Sequence, residues 1–192
     1  MRYIARVRRI LLARHGQTAW NALGKLQGHT DIELDATGRE QARALAVSLR
    51  DAGVTRVRSS DLSRARETAD IVAAELALAP PDIDAELRER KFGILEGLTR
   101  EECAANHPEA WRDWVAQTSH PPGGEPRADA VARIQRALLR VPPDGHTLVI
   151  SHGGVMRLWL MEILGTTIPL VGNATTYEVD HDGVTFRAKL RG

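Results

Sequence analysis

The chain has 192 residues, a length typical of one domain with a buried core, so residues 1–192 are predicted to form a single domain. Its 26 Lys and Arg residues nearly balance 25 Asp and Glu residues, and a net charge of +1 gives no support to nucleic-acid binding. No run is long and apolar enough to cross a membrane, and the single cysteine, Cys103, excludes an intrachain disulfide. No apolar stretch of signal-peptide length follows the early basic residues, so a cytoplasmic location is expected; these residues are Arg2, Arg6, Arg8 and Arg9.

The first half of the chain alternates apolar runs of strand length with amphipathic, helix-like stretches. Ile10 to Ala13 is predicted to be a buried parallel strand, and 20–36 a polar loop. The apolar residues of 38–52 recur at helical spacing, with Gly53 as a stop signal. The next predicted elements are a strand over 54–57, a helix from a Ser60 or Asp61 cap to about Leu78, and a weaker strand over 83–87.

The second half continues this alternation. Thr99 to Glu102 has the spacing of a capping box and should open a helix. A second helix, with Trp111 and Trp114 on one face, is predicted after Pro108, and a Pro- and Gly-rich loop over 120–126 follows it. The last predicted elements are a helix over 128–139, a strand over 147–150, a helix over 155–164 ended by Gly165, and a hairpin of strands 175–179 and 184–189 around Asp182-Gly183.

The order of elements predicts an α/β fold: a three-layer αβα sandwich whose mostly parallel central sheet carries an antiparallel C-terminal hairpin. Two of its strands share one pattern, because 10–13 runs into Arg14-His15-Gly16 and 148–150 runs into Ser151-His152-Gly153. In open α/β sheets, ligands bind at the carboxyl ends of strands. We therefore expect the two histidines to face one pocket.

Polar side chains follow four of the predicted strands. They comprise two arginines, two histidines, an amide and a carboxylate: Arg14, His15, Asn21, Arg64, Glu89 and His152. Arginine forks match phosphate oxygens, and the N-terminus of the helix that carries Arg64 would add backbone N–H donors. Glycine after each histidine would let the backbone approach an anion closely. The set predicts a site for a phosphoryl group.

The motifs of other phosphate chemistries do not occur. The sequence contains no Gly-x4-Gly-Lys-Ser/Thr loop and no arginine six positions after Cys103. It contains no His-Glu-x-x-His, and its other histidines are scattered without the spacing of metal ligands. We therefore expect these histidines in loops or on the surface, with His107 and His120 as candidates for the pocket.

The residues from Leu12 to Asn21, LARHGQTAWN, resemble the opening motif of the histidine phosphatase superfamily, also called the phosphoglycerate mutase-like family. The stretch 60–69 resembles its second motif, Leu87-Arg88-Glu89 the third, and 151–154 the last. These motifs follow the family's order over most of the chain. The segment 173–175 resembles the phosphatase branch, which includes α-ribazole phosphatases and broad-specificity phosphatases.

The resemblance implies a role for each candidate. His15 would be the nucleophile that forms a phosphohistidine, and Glu89 the general acid and base. The transferring phosphoryl group would be held by Arg14, Asn21, Arg64, His152 and Gly153. Their positive field implies that neither a metal nor another cofactor is needed. The expected partner is a small phosphate monoester, without nucleic acid or membrane, and a homodimer is compatible with the sequence.

The family contains phosphatases and also phosphoglycerate mutases that depend on 2,3-bisphosphoglycerate. The chain ends at Gly192, after the last predicted strand, without the tail that family mutases fold over the site, and this favours hydrolysis. Arg90 and Arg100 resemble the mutase form, in which basic residues contact a substrate carboxylate, but Phe92 replaces the mutase tyrosine. We expect a phosphomonoesterase, with the mutase as the alternative. A non-catalytic phosphate-binding relative is disfavoured because His15, Arg64 and Glu89 are all present.

The outer pocket is predicted to contain Gln27, Gly28, Arg90, Phe92, Arg100 and Glu125, with Lys91, Trp111, Trp114 and His120 as further candidates for its walls. Glu125 lies in a Gly-Gly-Glu stretch that resembles the family's, with Pro126 in place of serine, and it is expected to help order the pocket. The substrate stays open among phosphoglycerate, a sugar phosphate, phosphoserine and a nucleoside-type phosphate such as α-ribazole phosphate.

Overall fold

The computed structural model describes residues 7–191, so Arg2 and Arg6 of the basic lead lie outside the described residues. The strands of this part of the chain are β1 (Arg8–Arg14), β2 (Val54–Ser59), β3 (Asp82–Ile83), β4 (His146–Ser151), β5 (Thr176–His181) and β6 (Phe186–Leu190). Its helices are α1 (Ala19–Ala22), α2 (Ala36–Ser48), α3 (Ser63–Glu75), α4 (Arg100–Asn106), α5 (Pro108–Ala116), α6 (Arg127–Leu139) and α7 (Gly153–Leu164). Short 3-10 turns cover Ala85–Leu87 and Gly93–Leu95.

The strands form one mixed sheet in the order β3-β2-β4-β1-β5-β6. The first four strands of the chain run parallel, whereas β5 is antiparallel to β1 and β6 is antiparallel to β5. The predicted α/β fold with a C-terminal hairpin is therefore confirmed. Arg14 at the end of β1 lies opposite Ser151 at the end of β4, and the His15 N–H donates to the Ser151 carbonyl at 3.0 Å. Because the two strands end in register, His15 and His152 leave the sheet side by side.

The central strands bury both of their faces. Ile10 and Leu12 of β1 pack in a cluster with Ile134 of α6 and Trp159 of α7. The alternate residues of the same strands pack on the other face against α2 and α3, in a cluster that includes Leu11, Leu45, Val72, Leu148 and Ile150. Burying each large apolar side chain contributes about 1.5–3 kcal/mol, so the two clusters fix the helices on both faces. Within residues 7–191, no helix combines the length and the apolar character needed to cross a bilayer.

Two segments differ from their predicted structure. The predicted loop 20–36 contains the short helix α1, which a capping box between Thr18 and Asn21 starts. The predicted strand 83–87 is wrong beyond Ile83, because the chain turns into a 3-10 helix there. Asp84 causes this turn: its carboxylate accepts the Glu86 N–H at 3.0 Å and also pairs with Arg58.

The start of α3 also differs from the prediction. Its N-cap is Leu62, which has no side chain able to cap, rather than Ser60 or Asp61. The Asp61 carboxylate instead forms a two-pronged pair with Arg88, with distances of 2.7 and 2.5 Å. The helix ends at Glu75 rather than near Leu78. The Asp61 side chain, which local capping rules assign to the helix, therefore forms an ion pair with a distant residue instead.

Other local predictions hold. Thr99 and Glu102 form the predicted capping box of α4, and Gly165 ends α7 in the left-handed region with φ +62°. The predicted hairpin turn is present, with the Asp182 carboxylate accepting the N–H groups of Val184 and Thr185. β6 begins at Phe186 rather than at Val184, because Val184 belongs to the exposed turn.

Candidate active site

A cavity of about 320 Å³ opens at the carboxyl ends of β1 and β4. Six of the predicted phosphoryl-binding and catalytic residues line it: Arg14, His15, Asn21, Arg64, Glu89 and Gly153. The seventh, His152, is fully buried and contacts the edge of the His15 ring, with 5.0 Å between the ring centroids. The fold therefore brings together all seven residues, which come from distant parts of the sequence.

His15 is buried and held in one tautomer. Its Nδ1 lies 2.6 Å from the Gly16 carbonyl oxygen, which can only accept, so Nδ1 carries the hydrogen. The Nε2 atom of the neutral ring then has an available lone pair. Burial, followed by the positive charges of Arg14 and Arg64, holds the pKa of His15 well below its ordinary value. The ring is consequently neutral at pH 7, the form in which an imidazole can act as a nucleophile.

His152 has the opposite tautomer. Arg64 donates from Nε to the His152 Nδ1 at 3.3 Å, so the hydrogen of the neutral ring is on Nε2. That Nε2 is buried and has no hydrogen-bond partner among the described residues. Burial, and next the charge of Arg64, keep the pKa of His152 well below its ordinary value. His152 therefore presents a neutral N–H donor beside the His15 ring.

Two arginines supply the positive charge of the cavity floor. Arg64, in the first turn of α3, donates to the Thr30 and Gly28 carbonyls at 3.0 and 2.8 Å, which fixes its guanidinium. Burial lowers the pKa of Arg64 to about 10, so it stays cationic at neutral pH. Arg14 donates from Nη1 to the Val171 carbonyl at 2.7 Å, while its buried Nε has no partner within residues 7–191. An unpaired buried donor is costly, and an anion in the cavity would satisfy it.

Asn21 also lines the cavity and is oriented by its neighbours. Its Oδ1 accepts the Thr18 N–H at 3.1 Å and the Asn173 Nδ2 at 3.3 Å. Because the oxygen is occupied, the Nδ2 hydrogens of Asn21 are what it can offer to a ligand. Asn173 also donates to the His15 carbonyl at 3.1 Å, so it ties the Asn21 side chain to the chain beside His15.

Glu89 is held at the N-terminus of α7. Its Oε2 accepts the Gly154 N–H at 2.8 Å, and its Oε1 accepts the Val155 and Arg90 N–H groups at 2.7 and 2.8 Å. The start of this helix therefore binds the protein's own carboxylate. Three backbone donors fix Glu89 at the cavity wall, where a carboxyl group can exchange a proton with a ligand.

The structure gives contacts for two backbone positions that were expected near the ligand. Gly16 does not make room for an anion; a Cβ there would collide with the Gly38 carbonyl, so packing against α2 requires the glycine. At the N-terminus of α3, the Ser63 N–H is not free for a ligand, because it donates to Asp31 at 2.8 Å. Gly153, at the first position of α7, does line the cavity as expected.

The floor can therefore bind a tetrahedral oxyanion next to a neutral histidine. Two arginines and two unpaired N–H donors surround the site, and hydrogen bonds to charged oxygens are the strong class of such bonds. Within residues 7–191, no group of three or more His, Cys, Asp and Glu side chains has an arrangement that could hold a metal ion.

A sequence profile described as "Histidine phosphatase superfamily (branch 1)" matches residues 10–191. The chain belongs to this superfamily. A similar relative is "Phosphoglycerate mutase-like protein 4" from Arabidopsis thaliana, which is 40% identical over 156 residues, or 77% of this chain and 67% of the relative.

Two solved structures share the fold. A mycobacterial glucosyl-3-phosphoglycerate phosphatase in complex with VO3 has a TM-score of 0.83 and 31% identity, covering 95% of this chain and 98% of its own. An Escherichia coli protein provisionally described as an alpha-ribazole-5'-P phosphatase has a TM-score of 0.80 and 29% identity, covering 96% of this chain and 94% of its own. The expected likeness to the phosphatases of the superfamily is thus confirmed at the level of fold and sequence.

The outer wall of the cavity combines aromatic and cationic side chains. Of the predicted outer residues, Gln27, Arg90, Phe92 and Arg100 line the cavity, together with Trp111 and Trp114. The Arg90 guanidinium lies over the Trp114 ring, 4.1 Å from its centroid, and Phe92 meets the same ring edge to face at 5.1 Å. Burial lowers the pKa of Arg90 to about 10.

Gly28 and Glu125 are not among the residues that line the cavity. Gly28 has φ +55°, and Glu96 packs where its Cβ would be, so a tight loop requires this glycine. Glu125 instead pairs with Arg133. Lys91 and His120, two suggested wall residues, also lie outside the lining.

Several lining residues were not foreseen. Two are cations, Lys25 and Arg157, and the others are Leu26, Gln117, Gly154, Leu158, Leu170 and Val171. Lys25 lies close to the first motif and Arg157 lies on α7 close to the last. Proximity to those motifs was the available signal, but solvated surface cations have the same appearance in a sequence.

Proposed function

We propose that this protein is a metal-independent phosphomonoesterase that hydrolyses small phosphorylated metabolites through a phosphohistidine on His15. One observation carries the proposal: the neutral His15 ring, with its Nδ1 hydrogen bound to Gly16, lies beside the cationic Arg14 and Arg64 and beside the unpaired donors of Arg14 and His152. A nucleophile and an oxyanion site thus share one cavity floor.

In the first step, the His15 Nε2 attacks phosphorus and the bond to the ester oxygen breaks. Glu89 donates a proton to that leaving oxygen, and the Gly16 carbonyl stabilises the positive charge on the ring through the Nδ1 hydrogen. In the second step, water attacks the phosphohistidine while Glu89 takes up its proton. The phosphorus–nitrogen bond breaks, inorganic phosphate is released, and His15 returns to its neutral form.

Relatives support the phosphatase assignment. The mycobacterial structural neighbour is a phosphatase and was solved with VO3, an oxyanion of phosphate-like chemistry. The cavity also reaches solvent, because its lining residue Leu170 is 71% exposed. Access of water favours hydrolysis of a phosphohistidine over transfer to a second substrate.

The charge of the cavity narrows the proposed substrate class. Six cationic side chains line the cavity: Arg14, Lys25, Arg64, Arg90, Arg100 and Arg157. Glu89 is the carboxylate that faces them in this lining. One phosphate monoester leaves much of this charge uncompensated, so a substrate with a second acidic group fits the cavity best.

A phosphoglycerate mutase is the second candidate. Arg90 and Arg100 both line the cavity wall, where they can contact a substrate carboxylate, and the Arabidopsis relative bears a mutase-like name. A mutase would need priming by 2,3-bisphosphoglycerate. Adding this compound with 3-phosphoglycerate and following the formation of 2-phosphoglycerate separates the candidates: isomerisation faster than phosphate release would replace the phosphatase by the mutase.

The phosphatase proposal predicts an acid-labile phosphoenzyme when the protein is mixed with a labelled phosphate monoester and quenched. The variant His15→Ala should form none, because within residues 7–191 no other ring nitrogen is paired in this way with the oxyanion site. His120→Ala is the matched control, since this exposed histidine lies outside the cavity lining. A phosphoenzyme that persists in His15→Ala would rule out the nucleophile.

Metal independence predicts that EDTA leaves phosphate release unchanged. The arginines and His152 supply the charge stabilisation that a divalent ion would otherwise provide. Loss of activity in EDTA, with recovery on adding a divalent cation, would contradict the mechanism.

A further inference from the structure

We propose that Arg133 is a positioning residue that sets the place of the Glu89 carboxyl group, an inference that rests on the proposed function. Arg133 lies on α6 and does not line the cavity. Its side chain is nevertheless largely buried, at 11% exposure. Its guanidinium nitrogens all donate hydrogen bonds, either to the segment that leads to Glu89 or to Glu125.

The guanidinium binds three successive parts of the Glu89 segment. Arg133 donates from Nη1 to the carbonyls of Glu86 and Arg88 at 2.9 and 2.6 Å. It donates from Nη2 to the carbonyl of Glu89 itself at 2.9 Å. A planar, fixed set of donors can make these contacts at once, whereas the single ammonium group of a lysine cannot.

The segment depends on these contacts because regular structure does not hold it. The 3-10 turn ends at Leu87, and residues 88–91 belong to neither helix nor strand. The Glu89 carbonyl also accepts from the His29 Nε2 at 2.8 Å, so donors from two distant parts of the chain fix one peptide group. The Glu89 side chain then reaches the Gly154 and Val155 N–H groups from a defined starting point.

Glu125 completes the arrangement by orienting Arg133. Its Oε1 accepts from Arg133 Nε at 2.7 Å and its Oε2 from Nη2 at 2.8 Å. Its backbone carbonyl accepts from Arg90 Nε at 2.8 Å, which connects the same loop to the cavity wall. Glu125, which is absent from the cavity lining, is thereby assigned a part in the site: it acts through Arg133 on Glu89.

The consequence for catalysis concerns proton transfer. A general acid must stand within hydrogen-bond reach of the leaving oxygen, and a displacement of about 1 Å costs on the order of 10²-fold in rate. An alkyl phosphate depends on this proton because an alkoxide is a poor leaving group. A 4-nitrophenyl phosphate does not, since its phenolate leaves unprotonated. Loosening the Glu89 segment should therefore affect the two esters unequally.

The test measures kcat/KM for an alkyl phosphate and for 4-nitrophenyl phosphate, because kcat/KM reports the steps up to departure of the leaving group. We expect Arg133→Met to lower the alkyl value by about 10²-fold and the aryl value by less than about fivefold. Arg133→Lys should recover part of the alkyl activity. In a Glu89→Gln background, Arg133→Met should change neither value further, because the two residues act as one unit.

Controls separate positioning from stability. Arg136 lies one turn along α6 from Arg133 and forms an exposed ion pair with the Glu86 side chain. Arg136→Met removes this pair and should leave the ratio of the alkyl and aryl kcat/KM values unchanged. Glu125→Gln leaves Arg133 with one acceptor oxygen instead of two, so it should orient Arg133 less firmly and lower the same ratio by a smaller factor. This variant provides the result if Arg133→Met does not fold.

Failure of the positioning role and failure of the proposed function would give different results. Equal losses on both esters in Arg133→Met and Glu125→Gln would overturn the positioning role and leave the proposed function standing. A wild-type protein that hydrolyses neither ester and forms no phosphoenzyme would overturn the proposed function, and the inference with it.

Discussion

Binding of inorganic phosphate should stabilise this protein, and the His152→Asn variant should lose most of that effect. The cavity floor holds two buried donors, Arg14 Nε and His152 Nε2, that have no partner within residues 7–191. An anion that binds the folded chain and pairs with these donors shifts the unfolding equilibrium toward the folded state. The measurement requires no turnover, so it tests the oxyanion site separately from the chemistry.

The size of the effect follows from mass action. At a phosphate concentration of about 100 times Kd, the folded state gains about 2.7 kcal/mol. For a chain of this length, each kcal/mol moves the melting temperature by about 2–4 °C, so the expected rise is about 5–11 °C.

His152→Asn is the chosen perturbation because it removes one donor and keeps its surroundings. The asparagine amide reaches the position of the histidine Nδ1, where its oxygen can accept from Arg64 Nε, but it has no counterpart of Nε2. Losing one hydrogen bond to a charged oxygen, worth about 1.5–3 kcal/mol, weakens binding by about 10- to 100-fold. At the same phosphate concentration, the stabilisation left is about 0.4–1.4 kcal/mol.

The assay is thermal unfolding with and without phosphate at constant ionic strength set by chloride, supported by calorimetric titration for Kd. His181→Asn is the matched control: His181 is also buried and its Nδ1 pairs with Arg8 at 3.2 Å, but it lies on β5 away from the cavity. An equal phosphate shift in wild type and His152→Asn, or none in wild type, would refute the assignment of the oxyanion site.

Three other predictions concern pH and charge. Because the pKa of His15 lies below its ordinary value, the ring stays neutral as the pH falls through about 6.5, so single-turnover phosphoenzyme formation should stay flat there and decline only at lower pH. The lowered pKa values of His15 and His152 also mean that the unfolded chain binds protons first, so the free energy of unfolding should fall on acidification below about pH 6.5. Arg100→Met should raise KM for a phosphate ester that carries a carboxylate by about tenfold and leave the KM of phenyl phosphate unchanged; equal changes would remove Arg100 from substrate recognition.

The positions of His15 and His152 were predictable because each histidine directly follows a strand. Apolar runs of strand length locate the ends of β1 and β4, and the residue after each run must emerge at the same edge of a parallel sheet. The adjacency of β1 and β4 itself is a tertiary fact, since more than 130 residues separate the paired strands in sequence.

The contact of Arg133 with the Glu89 segment was not predictable from local patterns. Arg133 occurs on an amphipathic helix with other arginines, and Arg136 one turn away pairs on the surface instead. Only the packing of α6 against the Glu89 segment distinguishes them. Asp61 shows the converse case: local rules favour a helix cap, but the side chain pairs with Arg88. Where a side chain can bind several partners, tertiary geometry decides which partner it binds.

The two strand-histidine-glycine units illustrate how one local pattern yields two chemical functions. At the first strand end, His15 gives its Nδ1 hydrogen to the carbonyl of the next residue, which leaves Nε2 as a nucleophilic lone pair. At the second, Arg64 donates to the His152 Nδ1, which leaves Nε2 as a hydrogen-bond donor. Arg64 approaches only one of the rings in this way, because α3 begins next to β4. The Nε donor of Arg64 thus makes the two units chemically different. With an acceptor in its place, the hydrogen of the His152 ring would be on Nδ1, and both rings would have a lone pair on Nε2.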